Sequence, residues 1–234
     1  HFRPKLSVTG FVAKLGTANF FNQIAMMIVQ IVMNKSLTYY GSQSVYGESI
    51  PLACAGIITK VGMVFFSICI GLSQGMQPIV SFNYGAGNYK KVKQAYRLAA
   101  GIGTIISVIA FFAFQIFPRQ LIGIFGSSQN EAYYTFAVRY FRIYMFFTFL
   151  NAIQPISSNF FTAIGKPGKG IFLSLTRQII FLLPLIVIFP LFLGVDGIMY
   201  AGPIADFIAA MVSMILIYKE FGKINKLEEA TCES

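Results

Sequence analysis

Long apolar stretches without a charged residue alternate along this chain with short polar, basic ones. Charge-free windows cover residues 15–34, 61–89, 98–118, 143–165 and 178–195, and residues 197–218 contain one charge, Asp206. A membrane-crossing helix needs about 20 mainly apolar residues, so the pattern predicts six spans. They are expected at about 15–34, 51–83, 98–118, 143–165, 171–193 and 197–218, the second taking in Lys60 and the fifth Arg177. Residues 1–14 then form a linker, and residues 219–234 a charged, frayed tail. The predicted fold class is an all-α membrane protein, a six-transmembrane-helix bundle.

Within the windows the polar residues are not scattered. At 100° per residue, Asn19, Asn22, Gln23, Met26, Gln30, Met33 and Asn34 form one stripe on the first span. On the fourth, Tyr144, Thr148, Asn151, Pro155, Ser158, Asn159 and Thr162 cluster, with Gln154 at their edge. On the second, Lys60, Ser67, Gly71, Gln74 and Pro78 share a face. In lipid such faces must meet another helix or a water-filled cavity. Interhelical hydrogen bonding accounts for any one of these residues. The stripes together predict a cavity for bulky, partly apolar molecules, since methionine adapts its shape and aromatic rings attract cations. Gly71 and Gly75, four apart, are expected to let two helices approach closely. Pro78, Pro155, Pro184, Pro190 and Pro203 lie inside spans and predict kinks.

Composition agrees: 56% of the 234 residues are hydrophobic and 11% charged, and the mean hydropathy is +0.69. A soluble domain carries about 25% charged residues. With 25 Phe and 12 Tyr the chain is also the reverse of a disordered one. Cys54 and Cys69, fifteen residues apart in one apolar run, are too distant along a helix to bridge, and Cys232 lies in the tail. The net charge of +10 follows the membrane rather than a nucleic acid. Arg3, Lys5, Lys14, Lys90, Lys91, Lys93, Arg97, Lys166, Lys169, Arg177, Lys219, Lys223 and Lys226 all fall on one side of a six-span topology. Positive loops face the cytoplasm, which puts both ends of this segment inside, in a plasma (inner) membrane with anionic lipid as a contact. No nucleic-acid partner is expected. No cleavable signal peptide is visible, and the start at His1 reads as an interrupted linker whose natural polypeptide continues upstream.

Asp206 is the carboxylate inside a span, and Gly202, Pro203, Ala209, Ala210 and Ser213 share its face. It is either a coupling site for a proton or metal cation, or the structural partner of Lys60 or Arg177. No enzyme is expected: His1 stands alone at the terminus, and neither a metal cluster nor a Ser-His-Asp set can be assembled. No metal site and no cofactor are predicted. Gly85-Ala86-Gly87 lacks the strand and the Gly-Lys-Ser/Thr of a phosphate loop and is read as the turn ending the second span.

The stretch Gly71-Leu72-Ser73-Gln74-Gly75-Met76-Gln77-Pro78, followed by Asn83-Tyr84-Gly85-Ala86, resembles the signature of the multidrug and toxic compound extrusion (MATE) family. Phe160-Phe161-Thr162-Ala163-Ile164-Gly165-Lys166-Pro167 resembles the end of that family's tenth helix, and Arg177-Gln178 and Gly194-Val195-Asp196-Gly197 the segments after it. The resemblance spans about residues 15–218. It implies one half, the carboxy-terminal lobe, of a twelve-helix transporter, with an amino-terminal six-helix lobe of the same polypeptide as partner. It further implies efflux of cationic, amphipathic small molecules in exchange for sodium ions or protons, by alternating access of a cavity between the lobes.

Substrate-cavity residues are then expected at Asn19, Asn22, Gln23, Met26, Gln30, Gln74, Gln77, Tyr144, Asn151, Gln154 and Ser158. Some members carry carboxylates on the seventh and tenth helices; here the corresponding spans have none, so the resemblance implies either a coupling aspartate in the first helix, in the other lobe, or Asp206 as the local ion-coupling candidate. A related exporter of lipid-linked saccharides and a non-transporting scaffold or regulatory partner are the alternatives.

Overall fold

The computed structural model describes residues 6–125 and 131–232, excluding the side chains of 6–19, 21, 22, 132 and 230–232. Nine α-helices account for most of the described residues: α1 (Leu6–Ser42), α2 (Ser49–Gly85), α3 (Tyr89–Ile116), α4 (Pro118–Phe125), α5 (Glu131–Tyr144), α6 (Ile153–Ala163), α7 (Pro167–Leu175), α8 (Leu183–Leu193) and α9 (Val195–Cys232). Among the described residues there is no strand. Four helical stretches, Ser49–Gly85, Tyr89–Ile116, Pro167–Leu193 and Val195–Glu229, are each long and apolar enough to cross a membrane.

Prolines explain where regular helix fails. Pro155 has no N–H for the carbonyl of Asn151 and its ring crowds that carbonyl. The chain before it is accordingly not α-helical: a 3₁₀ turn over Thr148–Leu150 separates α5 from α6. Thr148 fills part of the gap, its Oγ1 donating to the Met145 carbonyl at 2.7 Å. Pro184 does the same to the carbonyl of Ile180, and a π-helical run, Thr176–Leu182, lies just upstream, joining α7 to α8. Wide turns of this kind absorb a lost bond in the ladder.

The bundle is held mainly by α2, whose Cys54, Ile58, Val61, Phe65, Cys69, Met76 and Val80 form one buried face. This face packs on α3, α5 and α6, while α1 lies against α2, α7, α8 and α9. Glycine fixes two close crossings. Gly202 sits under the Tyr144 ring, 2.4 Å from where a Cβ would stand, and Gly103 under Ile156. Spans five and six are joined almost without a loop, Gly194 turning the chain at φ +59° between α8 and α9. The second span ends as expected, at Gly85, with Gly87 taking φ +74° in the turn to α3.

Several sequence expectations are corrected. The helix that contains the first expected span, 15–34, runs beyond it at both ends, from Leu6 to Ser42. The fourth, expected at 143–165, starts at Glu131 and is broken in its middle. The tail, expected to fray from residue 219, continues as helix to Cys232 because it has partners. Glu220 is 1% exposed and accepts from both Lys166 and Lys169, the latter at 2.5 Å. Phe221 meets the Tyr96 and Phe160 rings edge to face, with centroids 5.3 and 5.9 Å apart, and Ile224 is buried. Gly71 and Gly75 lie on the outward face of α2, and among the described residues no atom stands within 4 Å of where their Cβ atoms would be.

At Gly197 the close neighbour is backbone, a Cβ there falling 2.5 Å from the carbonyl carbon of Phe189. Backbone cannot yield as a side chain does, so Gly197→Ala is expected to cost at least the roughly 1–3 kcal/mol typical of overpacking. Thermal denaturation of the purified protein in detergent measures it; an unchanged midpoint would show that α8 and α9 separate without cost.

Candidate functional site

Two polar regions emerge, one inside the lobe and one on its outer surface. The inner one centres on Asp206, 5% exposed on α9 among Gly202, Pro203, Ala209, Ala210 and Ser213, all buried. Arg177, in the π-helical run, donates from Nε to Asp206 Oδ1 at 2.6 Å. Asn151, at the broken point before α6, donates from Nδ2 to Oδ2 at 2.9 Å. Each carboxylate oxygen thus has a donor from a different span. The guanidinium also lies 5.2 Å from the centroid of the Phe66 ring on α2, which suits its weak hydration. Of the two cations available in sequence, Arg177 is therefore the partner, and Lys60 is exposed with no ion pair among the described residues.

The rest of the fourth-span polar cluster makes hydrogen bonds within the lobe. Gln154 donates to the Leu173 carbonyl at 3.3 Å. Ser158 donates to the Gly170 carbonyl at 2.8 Å and lies 3.0 Å from the Ser174 hydroxyl. Asn159, which the cavity set left out, donates to Ser73 on α2 at 2.6 Å. Tyr144 is half-buried over Gly202. These contacts hold α6 to α2 and α7, and the end of α5 to α9.

The outer region is different. Gln23, Met26 and Gln30 on α1 are exposed, and Gln30 donates to Asn34 Oδ1 at 3.1 Å. The side chains of Asn19 and Asn22 lie outside the described residues. On α2, Lys60, Ser67, Gly71, Gln74 and Pro78 are all exposed along one face, with Gln77 half-buried at its edge. The structure therefore separates the predicted set, leaving α1 and α2 residues outward and turning α6 residues inward.

A hollow of about 300 Å³ lies elsewhere, beside the break in the fourth span, lined by Phe146, Phe147, Tyr200 and Pro203 with Gln115 and Arg142. It contains none of the predicted site residues. Sequence reasoning also missed the Glu220 pair of lysines. Its signal was available, since Ile217, Phe221, Ile224 and Glu228 keep a helical spacing through the supposed tail. Among the described residues no group of His, Cys, Asp and Glu is placed to hold a metal ion.

The family model described as MatE matches residues 18–188, most of the chain. The chain belongs to the MatE family. Among curated relatives, the multidrug export protein MepA of Staphylococcus aureus (strain bovine RF122 / ET3-1) is 24% identical over 218 residues, covering 92% of this chain and 46% of the relative. MepA of Staphylococcus saprophyticus is 25% identical over 220 residues, covering 93% and 46%. The chain thus spans about half the length of the curated MatE relatives it matches. Solved structures agree in fold. A multidrug resistance MATE family transporter in its outward-facing conformation superposes with a TM-score of 0.84 at 19% identity, over 96% of this chain and 49% of that one. A MOP superfamily transporter from Pyrococcus furiosus, described as having a binding pocket of reversed polarity, gives 0.84 at 18% identity over the same shares. As a MatE protein the chain is an integral membrane protein with the fold of half a transporter, and the proteins it resembles are named as exporters and transporters rather than enzymes.

The Asp206 site makes a measurable claim about pairing. Arg177→Met alone strands a buried carboxylate, and is expected to cost roughly 3–5 kcal/mol. Arg177→Met with Asp206→Asn removes both charges and should recover most of that loss. Thermal midpoints of the single and double variants decide it, and simple additivity would show that the two side chains are not energetically paired.

Proposed function

We propose that this chain is one lobe of a multidrug efflux antiporter, which expels cationic, amphipathic small molecules and admits sodium ions or protons by alternating access. The partner in this reading is an amino-terminal six-helix lobe of the same polypeptide, in a plasma (inner) membrane, with both termini of this segment cytoplasmic. The observation that carries it is the contrast between outward faces. The exposed residues of α3 include the aliphatic ladder Leu98, Ile102, Ile105 and Ile109, as lipid contact requires. Those of α1 and α2 include Gln23, Gln30, Asn34, Lys60, Ser67 and Gln74, groups that hydrocarbon does not tolerate on a free face.

In this reading the α1 and α2 faces form one wall of a cavity closed by the other lobe. Gln23, Met26, Gln30, Gln74 and Gln77 contact substrate or water there, with Asn19 and Asn22 continuing the stripe. Tyr144, Asn151, Gln154 and Ser158 stand behind that wall and reach the cavity if the broken fourth span opens. Amides and a thioether without a local carboxylate suit a spread of bulky cations better than one tightly specified ligand. Asp206 is the coupling candidate, its carboxylate shared between Arg177 and an incoming cation.

Gln30→Trp in the full-length transporter is expected to leave membrane insertion intact and to abolish efflux of a fluorescent cationic dye from cells. Normal pumping by a correctly inserted variant would remove α1 from the cavity wall. The double variant Arg177→Met/Asp206→Asn should insert and lose efflux driven by an imposed ion gradient in proteoliposomes. Gradient-driven transport at the unmodified rate would place coupling in the other lobe.

A further inference from the structure

At the end of the bundle where α3 begins and α9 runs on past Tyr218, charge is not evenly matched. Lys93 on α3 donates to Asn225 at 2.7 Å and to Glu228 at 2.5 Å on α9, tying the two helices together. Lys90 and Arg97 flank that tie, exposed, and neither forms an ion pair among the described residues. With Gln94 and Glu228 these three cations border a groove of about 320 Å³ between the helices. Three positive groups face one carboxylate. Glu228 already engages Lys93, so the free attraction of the groove comes from Lys90 and Arg97.

Apolar surface begins where the groove ends. Leu98 follows Arg97 directly and stands one helical turn from Gln94, and it opens the exposed ladder of Leu98, Ile102, Ile105 and Ile109. On α9 a second exposed ladder, Phe207, Met211, Met214 and Tyr218, runs toward Asn225. A soluble anion would use the groove and leave both ladders bare. A molecule with a phosphate at one end and acyl chains at the other matches both parts.

We propose that this groove is a binding site for an anionic phospholipid, its phosphate between Lys90 and Arg97 and its acyl chains along the α3 ladder. A zwitterionic headgroup brings no net charge to the surplus and gains little. The Lys93–Glu228 pair acts as the frame that holds α9 at the distance from α3 that a headgroup fills.

Native mass spectrometry of the intact protein, released from detergent with equimolar phosphatidylglycerol and phosphatidylcholine, tests the site. The unmodified protein is expected to retain phosphatidylglycerol preferentially, and Lys90→Gln/Arg97→Gln to lose that preference by about tenfold or more, two surface cations being removed. Lys223→Gln/Lys226→Gln, which removes equal charge from exposed positions outside the groove, should keep it. Equal retention of the two lipids, an equal loss in the second variant, or displacement of bound lipid by millimolar inorganic phosphate would each overturn the proposal. All four positions are exposed, and circular dichroism of both variants confirms that the helices persist.

Discussion

A carboxylate in the interior of a membrane protein survives only where donors reach it, and the donors that reach Asp206 come from the two places where helices cease to be regular. Asn151 lies at the break in the fourth span, and Arg177 in the π-helical run of the fifth. The prolines that cause those irregularities, Pro155 and Pro184, are on the same two spans. Loss of backbone hydrogen bonding and the gain of a carboxylate bridge therefore occur together. Through Asp206 the sixth span joins these two irregular segments.

That arrangement sorts the polar residues of the chain into two populations with different physical duties. Those of α6 hold neighbouring helices through hydrogen bonds to Ser73, Gly170, Leu173 and Ser174. Those described on α1 and α2 include Gln23, Gln30, Lys60, Ser67 and Gln74, all exposed, and the α2 residues share their face with Gly71 and Gly75, before which no described atom stands within 4 Å. A helix that carries glycines, amides and an ammonium on its outward side is prepared for protein or water. The family membership fits this, since the matched relatives are about twice as long as the chain.

The apolar stretches and the polar stripes were legible because lipid penalises charge so strongly that few charges, Lys60, Arg177 and Asp206, fall within them. The direction in which a stripe looks was not legible. Periodicity says that Asn151, Gln154 and Ser158 share a face, but a cavity and a neighbouring helix both demand polar groups there. The choice between Lys60 and Arg177 as the partner of Asp206 likewise depended on how three spans pack, which no local pattern encodes. The tail was misread for a simpler reason: its charges suggested a solvated end, while the apolar residues between them, Phe221 and Ile224, kept the spacing of a packed helix.

The continuation of α9 beyond Tyr218 has a mechanical consequence. At 1.5 Å per residue it adds on the order of 20 Å of helix, anchored at its root by Glu220 to the turn between the fourth and fifth spans and further out by Glu228 to α3. A shaft braced at two points cannot swivel independently of the body that carries it. Any rocking of the lobe is transmitted to its tip as a larger sweep, much as a pointer magnifies the rotation of a dial. A spectroscopic label near the end of α9 would therefore read the orientation of the whole bundle.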